Sequence, residues 1–248
     1  MNRTVALVLR PDGDFSEALR INGIEVINLE LIKTVPVDDF SRIAAAVGDL
    51  DRYNGIFLTS PAAAEIFVGH LMLFDGRFAG KVYVLGERSK TVLDRSGLQV
   101  ISSAAANTAQ DLIESFDRSE FADKNLLFIR GDRSVRTIPE MLAGIARVDE
   151  LVVYKTVELP TNYGLIDEVR DRLKMNEVGW ACFFSPSGVD SFISVFGTDD
   201  LAKVKAAAIG ETTARRATEV GLNVAFVSER SNAEDFAAGF AAYIKNIE

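Results

Sequence analysis

The sequence predicts an α/β protein: two flavodoxin-like lobes with parallel sheets, built from one duplicated unit and joined by a two-segment hinge. The first observation behind this is an internal repeat. Ser60-Pro61, Gly86, Gly97 and Asn107 reappear as Ser185-Pro186, Gly210, Gly221 and Asn232 at an offset of 124 or 125 residues, and such self-similarity has to be read before any single element. The second is the alternation of continuous apolar runs with helix-like stretches, the pattern of parallel strands covered on both faces. The third is that this alternation is interrupted twice, near residues 35–39 and 158–164.

Taken in order, VALVLR (5–10) is a buried strand, and EALRINGI is a helix that Gly23 can close. EVINLELIKTV is a second strand, Pro36 to Asp39 is a break, and SRIAAAVGDL is a helix capped by Asp38, Asp39 or Ser41. GIFLTSPAAAEIF is strand then helix, with Ser60 at the N-cap and Pro61 at the first helical position. VYVLGERSKTVLDRSG repeats that form. QVISSAA is a strand, and NTAQDLIESF is a helix in which Asn107 and Gln110 have capping-box spacing. The second copy opens at Asn125 with strand NLLFIRG, helix TIPEMLAGIA and strand ELVVYKTVEL. Arg130 answers Arg10 there, and Lys155-Thr156 answers Lys33-Thr34. After PTNYG come FFSPSGVDSF, AAIGETTARRATEVG, VAFVS and AEDFAAGFAAYI, with Ser231 and Glu234 again at capping-box spacing.

The length of 248 residues suits two domains, and no apolar run approaches the roughly 20 residues needed to span a bilayer. The N-terminus reads as a strand rather than a signal peptide, and one cysteine excludes an intrachain disulfide, so a cytoplasmic protein is expected. A net charge of −9 without a basic stripe argues against nucleic acid. His70 has no metal-spaced partners and Cys182 opens an apolar strand, so neither is expected to react. No Gly-rich nucleotide motif is present.

What remains are hydroxyl- and glycine-rich turns between strands and helices: Thr59-Ser60, Gly86 onward, Ser185-Pro186-Ser187-Gly188, and Gly210-Glu211-Thr212-Thr213. In an open parallel sheet these lie at the carboxyl ends of strands, where ligands bind, and helix N-termini there offer free N–H groups to anions. Each is also explained as a simple helix cap; four turns in matching copies favour a cleft between lobes. One helix N-terminus contributes about 0.3–1 kcal/mol to a bound anion and a charge-assisted hydrogen bond about 1.5–3, while micromolar affinity needs about 8. Several turns must therefore meet one ligand carrying several acidic groups. Tyr154 stands apart, because its counterpart in the first copy is the apolar Ile32.

FLTSPAAAEIF, ELVVYKT, FFSPSGVDSF and AAIGETTARRATEVGL together resemble the uroporphyrinogen-III synthase family across essentially the whole chain. The resemblance implies a cofactor-free, metal-free cytoplasmic lyase of tetrapyrrole biosynthesis, expected as a monomer. It would act on the linear tetrapyrrole hydroxymethylbilane, received by transient handover from hydroxymethylbilane synthase. Water would be lost through azafulvene and spiro intermediates, ring D would invert, and uroporphyrinogen III would form for haem, sirohaem, chlorophyll or cobalamin. It also implies a discontinuous lobe of residues 1–35 and 162–248 around a lobe of residues 36–161. Residue by residue, it implies Tyr154 as proton donor to the departing hydroxyl. Ser60, Ser185 and Thr213 would hold carboxylates with Thr59, Ser187, Gly188, Gly210, Thr212 and Gly86, while Arg10, Arg130 and Lys155 lend charge. Ala62 and Ala63 depart from the more usual polar residues after the first Ser-Pro. A non-catalytic two-lobed binding protein for small anions is the alternative, and a nucleotide-sugar or phosphate-transferring α/β enzyme a weaker one.

Overall fold

Continuous apolar runs become strands, and the segments between them become helices. The first half contains β1 (Val5–Val8), α1 (Asp14–Ile21), β2 (Glu25–Asn28), β3 (Ile32–Pro36), α2 (Phe40–Gly48), β4 (Gly55–Leu58), α3 (Pro61–Leu73), β5 (Lys81–Val84), α4 (Glu87–Leu93), β6 (Gln99–Ser102) and α5 (Ala109–Glu114). The second contains β7 (Asn125–Gly131), α6 (Thr137–Met141), β8 (Arg147–Glu158), α7 (Tyr163–Lys174), β9 (Trp180–Phe183), α8 (Pro186–Phe196), β10 (Lys205–Ala208), α9 (Glu211–Glu219), β11 (Asn223–Val227) and α10 (Ala233–Ile247). The computed structural model describes residues 4–73, 77–159, 163–197 and 204–247. Part of the expected break at 158–164, and the expected lobe boundary between 161 and 162, lie outside the described residues. No helix among the described residues is long and apolar enough to cross a membrane.

The chain divides into two units, one of Met1–Lys33 with Val157–Glu248 and one of Thr34–Thr156. The first holds a five-stranded sheet of order β11-β10-β9-β1-β2, and every adjacent pair is parallel. Its strands are apolar on both sides because both sides are covered. Leu7, Ala181 and Phe183 face α7 and α8 through Val169, Val189 and Phe192, while Ala6, Val8 and Cys182 face α1 and α10 through Leu19, Phe236 and Phe240. The second unit holds a six-stranded sheet of order β3-β8-β7-β4-β5-β6, parallel from β8 to β6. Ile56, Leu58, Leu127 and Ile129 pack with α2 and α3 on one side; Phe57, Tyr83 and Phe128 pack with α5 and α6 on the other.

Three expectations are corrected. EVINLELIKTV is not one strand: β2 and β3 belong to different sheets. The run stays apolar through the crossing because Leu29 and Leu31 fill the first unit's core on the way. The helix caps are shifted by one residue in both copies. Thr108, not Asn107, caps α5, its hydroxyl accepting the Asp111 N–H at 3.1 Å while the Asp111 carboxylate accepts the Thr108 N–H at 2.8 Å. Asn232, not Ser231, caps α10 by accepting the Asp235 N–H at 2.8 Å. The stretch 137–146 is helical only from Thr137 to Met141, because Gly144 turns at φ 75° once Ile138 and Leu142 are buried.

Candidate active site

Parallel pairing carries the candidate residues of each unit to one end of its sheet. In the first unit the carboxyl ends of the adjacent strands β10, β9 and β1 lead into Gly210–Thr213, Ser185–Gly188 and Arg10. Ser185 is an N-cap in extended conformation whose Oγ accepts the Gly188 N–H at 3.1 Å and lies 3.1 Å from Ser187 Oγ. Pro186 occupies the first helical position. The Gly210 carbonyl accepts the Thr213 N–H at 3.1 Å, and Thr213 is buried, with Thr212 half-buried beside it. A Cβ at Gly210 would collide with Ser231 Oγ. Arg10 stacks on Phe184, its guanidinium carbon 4.8 Å from the ring centre.

In the second unit β7, β4 and β5 are neighbours, and their carboxyl ends lead into Arg130, Thr59-Ser60 and Gly86. Ser60 Oγ accepts the Ala63 N–H at 3.2 Å and lies 3.1 Å from the Tyr154 hydroxyl. Gly86 turns at φ +80° into α4, and Lys155 is exposed. The two Ser-Pro turns differ from the two glycine turns in charge. Helices α3 and α8 have no acidic residue in the first turn, whereas α4 and α9 carry Glu87 and Glu211 there. A carboxylate at that place repels an incoming anion, so Ser60 and Ser185 begin the helices better suited to one.

Tyr154 reaches Ser60 through an irregularity in β8. Arg130 pairs with Val152 but Gly131 pairs with Tyr154, so Val153 is an extra residue in the ladder. Strict alternation would send Val153 and Tyr154 to opposite faces; the bulge interrupts that alternation, and Tyr154 packs against the cluster on the side of α3, as Val152 and Val153 do. Arg130 is engaged within its own turn. Its Nη1 donates to the carbonyls of Gly131, Asp132 and Ser134 at 2.8, 3.3 and 3.1 Å, and its Nε lies 2.8 Å from Glu150 Oε2. Hydrogen bonds from Arg136 hold the Glu150 carboxyl below its usual range, aided by the charge of Arg130 and against the effect of burial. Burial pushes the Cys182 thiol up, leaving it protonated and unreactive.

Two residues beside Tyr154 escaped the sequence reading, Gly131 and Asp132. The Asp132 N–H donates to the Tyr154 carbonyl at 3.0 Å, and Asp132 Oδ1 accepts the Thr156 N–H at 2.9 Å. A usable signal existed for Asp132, since Arg130-Gly131-Asp132 lies opposite Arg10-Pro11-Asp12 in the repeat.

Fold and turns together define a two-unit α/β protein whose strand ends carry hydroxyl- and glycine-rich turns at helix N-termini. Comparison with known proteins narrows this class. The uroporphyrinogen-III synthase HemD family matches residues 13–238. A uroporphyrinogen-III synthase of Chlorobaculum parvum is 28% identical over 96% of this chain and 98% of its own. The porphyrin biosynthesis protein HemD of Ruminiclostridium josui is 26% identical over 92% of this chain and 46% of its own. Among solved structures, a mutant uroporphyrinogen III synthase of Thermus thermophilus shares the fold at TM-score 0.70 and 15% identity, covering 98% of this chain and 99% of that one. Uroporphyrinogen-III synthetase of Helicobacter pylori gives 0.59 at 16% identity, covering 98% and 99%. The chain belongs to the uroporphyrinogen-III synthase HemD family.

Proposed function

We propose that this chain is a cofactor-independent lyase that closes hydroxymethylbilane to uroporphyrinogen III with inversion of ring D. The observation that carries the chemistry is the Tyr154 hydroxyl held 3.1 Å from Ser60 Oγ, itself bound to the Ala63 N–H. Run as a chain, the Ala63 N–H donates to Ser60 Oγ, the serine hydroxyl donates to the Tyr154 oxygen, and the phenol proton is left pointing outward. Successive bonds in such a chain polarise one another. The phenol proton passes to the hydroxymethyl oxygen as the C–O bond breaks, and the adjacent pyrrole nitrogen supplies the electron pair. Water leaves, and an N-protonated azafulvene remains beside the Tyr154 phenolate, which recovers its proton from the substrate as the pyrrole nitrogen or the closing ring releases one.

Attack on that electrophile by ring D through a spiro intermediate needs no nucleophile from the protein. Its task is to hold the flexible chain in one reactive conformation, an effect that can supply several kcal/mol of the barrier. Ser60, Thr59 and Gly86 in one unit, and Ser185, Ser187, Gly188, Gly210, Thr212 and Thr213 in the other, receive the acetate and propionate arms. Arg10, Arg130 and Lys155 add positive charge at the same sheet ends. The absence of carboxylates in the first turns of α3 and α8 supports the Ser-Pro turns as the principal anion sites. Handover from hydroxymethylbilane synthase and action as a monomer belong to the same reading.

The test is incubation with enzymatically generated hydroxymethylbilane, followed by separation of the isomers after oxidation. Uroporphyrin III is expected in excess over the spontaneous product. Formation of uninverted isomer I alone, at the uncatalysed rate, would leave only a binding protein.

A further inference from the structure

We infer that Gly131 is a positioning residue for Tyr154: its missing side chain is the space that seats the phenol ring against Ser60. This rests on the proposed role of Tyr154 as proton donor. A Cβ at Gly131 would stand 2.8 Å from the Tyr154 hydroxyl oxygen and would overlap Cε2 and Cζ, and all three of its nearest atoms belong to that ring. The glycine does not serve the backbone, since Gly131 lies in β7 and is not among the residues of positive φ. Alanine is therefore admissible to the backbone there, and the Tyr154 side chain is the nearest obstacle to it.

Neither main chain has room to give way. The Gly131 N–H donates to Ser134 Oγ at 3.1 Å, and the Arg130 guanidinium holds the carbonyls of residues 131, 132 and 134. Tyr154 is fixed by the Asp132 N–H on its carbonyl, and Thr156, two residues on, by Asp132 Oδ1. A methyl group added at 131 is relieved by rotation of the Tyr154 side chain, which carries its hydroxyl away from Ser60 Oγ. The bulge at Val153 brings ring and glycine face to face, so the two features act together.

The experiment compares wild type, Gly131→Ala, Tyr154→Phe and the double variant with enzymatically generated hydroxymethylbilane, alongside NMR spectra of the Tyr154 ring. Gly131→Ala is expected to lower kcat about 10- to 100-fold, the scale of an ångström's misplacement of a reacting group, with KM unchanged. In the Tyr154→Phe background it should cost less than about twofold more, because residues acting through one contact are not additive. Wild-type kcat in Gly131→Ala, or an equal loss in both backgrounds, would overturn the proposal. If Tyr154→Phe is itself fully active, the catalytic reading of Tyr154 fails and the spectra decide the rest. Displaced ring resonances in Gly131→Ala uphold the seating, and unmoved ones refute it. If Gly131→Ala does not fold, Gly131→Ala/Tyr154→Ala replaces it: melting like Tyr154→Ala supports the ring as the sole obstacle, and melting well below it overturns that.

Discussion

Tyr154→Phe keeps the ring that covers Gly131 and removes only the oxygen that lies 3.1 Å from Ser60 Oγ. In the proposed mechanism the pyrrole nitrogen still expels the hydroxyl, so ring-inverting closure is expected to slow by about 10²-fold, the lower end of general acid catalysis, rather than to stop. Initial rates with isomer analysis measure this, and a variant of full activity removes Tyr154 from the mechanism. Glu150 makes a different prediction at the same scale. Its carboxyl lies below the ordinary value of 4.5, mainly through hydrogen bonds from Arg136. A lowered carboxyl binds fewer protons folded than unfolded, so its stabilisation is complete above pH 4.5 and is lost as pH falls through the folded value. Glu150→Gln should therefore cost roughly 1–2 kcal/mol at pH 7 and melt closer to wild type at pH 3. A constant gap between the two melting curves across that range would assign the acid sensitivity elsewhere.

At the scale of elements, the strand-turn-helix grammar was legible because it is local: Ser-Pro at residues 60–61 and 185–186 caps a helix wherever it stands after an apolar run. The one-residue error in both helix caps has a physical source. Asn107-x-x-Gln110 and Thr108-x-x-Asp111 both satisfy the spacing, and the choice falls to which side chain the chain direction turns inward. Thr108 won, and Gln110 bonds Glu114 instead, at 2.9 Å. Thr108→Ala and Asn232→Ala are each expected to cost about 1 kcal/mol, whereas the exposed Asn107 should tolerate alanine within about 0.5. Equal losses at 107 and 108 in urea titrations would contradict the observed caps. The break inside EVINLELIKTV was not legible, since Leu29 and Leu31 keep the run apolar while serving a different core from β3. Gly131 was hidden for a similar reason, its partner being 23 residues away and reached only through a bulge that no period reveals.

At the scale of the whole molecule, the duplication is visible in sequence, but chain continuity is distributed unequally between the two units. Thr34–Thr156 is a continuous segment with its own cores on both sheet faces, whereas the other unit is assembled from the two ends of the chain. A fragment of residues 32–158, which keeps β3 and β8 whole, is the size of an ordinary domain and is expected to fold alone. It should melt cooperatively and keep Tyr154 against Ser60, yet yield no uroporphyrinogen III if the turns at Ser185 and Gly210, now gone, receive the substrate's arms as proposed. Residues 157–248 alone should not fold. β1 lies between β9 and β2 in their sheet, with Leu7 on one side and Ala6 and Val8 on the other, so removing it opens both cores at once. Adding a peptide of residues 4–33 should restore a cooperative melt and slow hydrogen exchange in β9, because that strand would regain its β1 partner. A cooperative melt of 157–248 by itself, or an unstructured 32–158 fragment, would mean that the two units are not independent folding units.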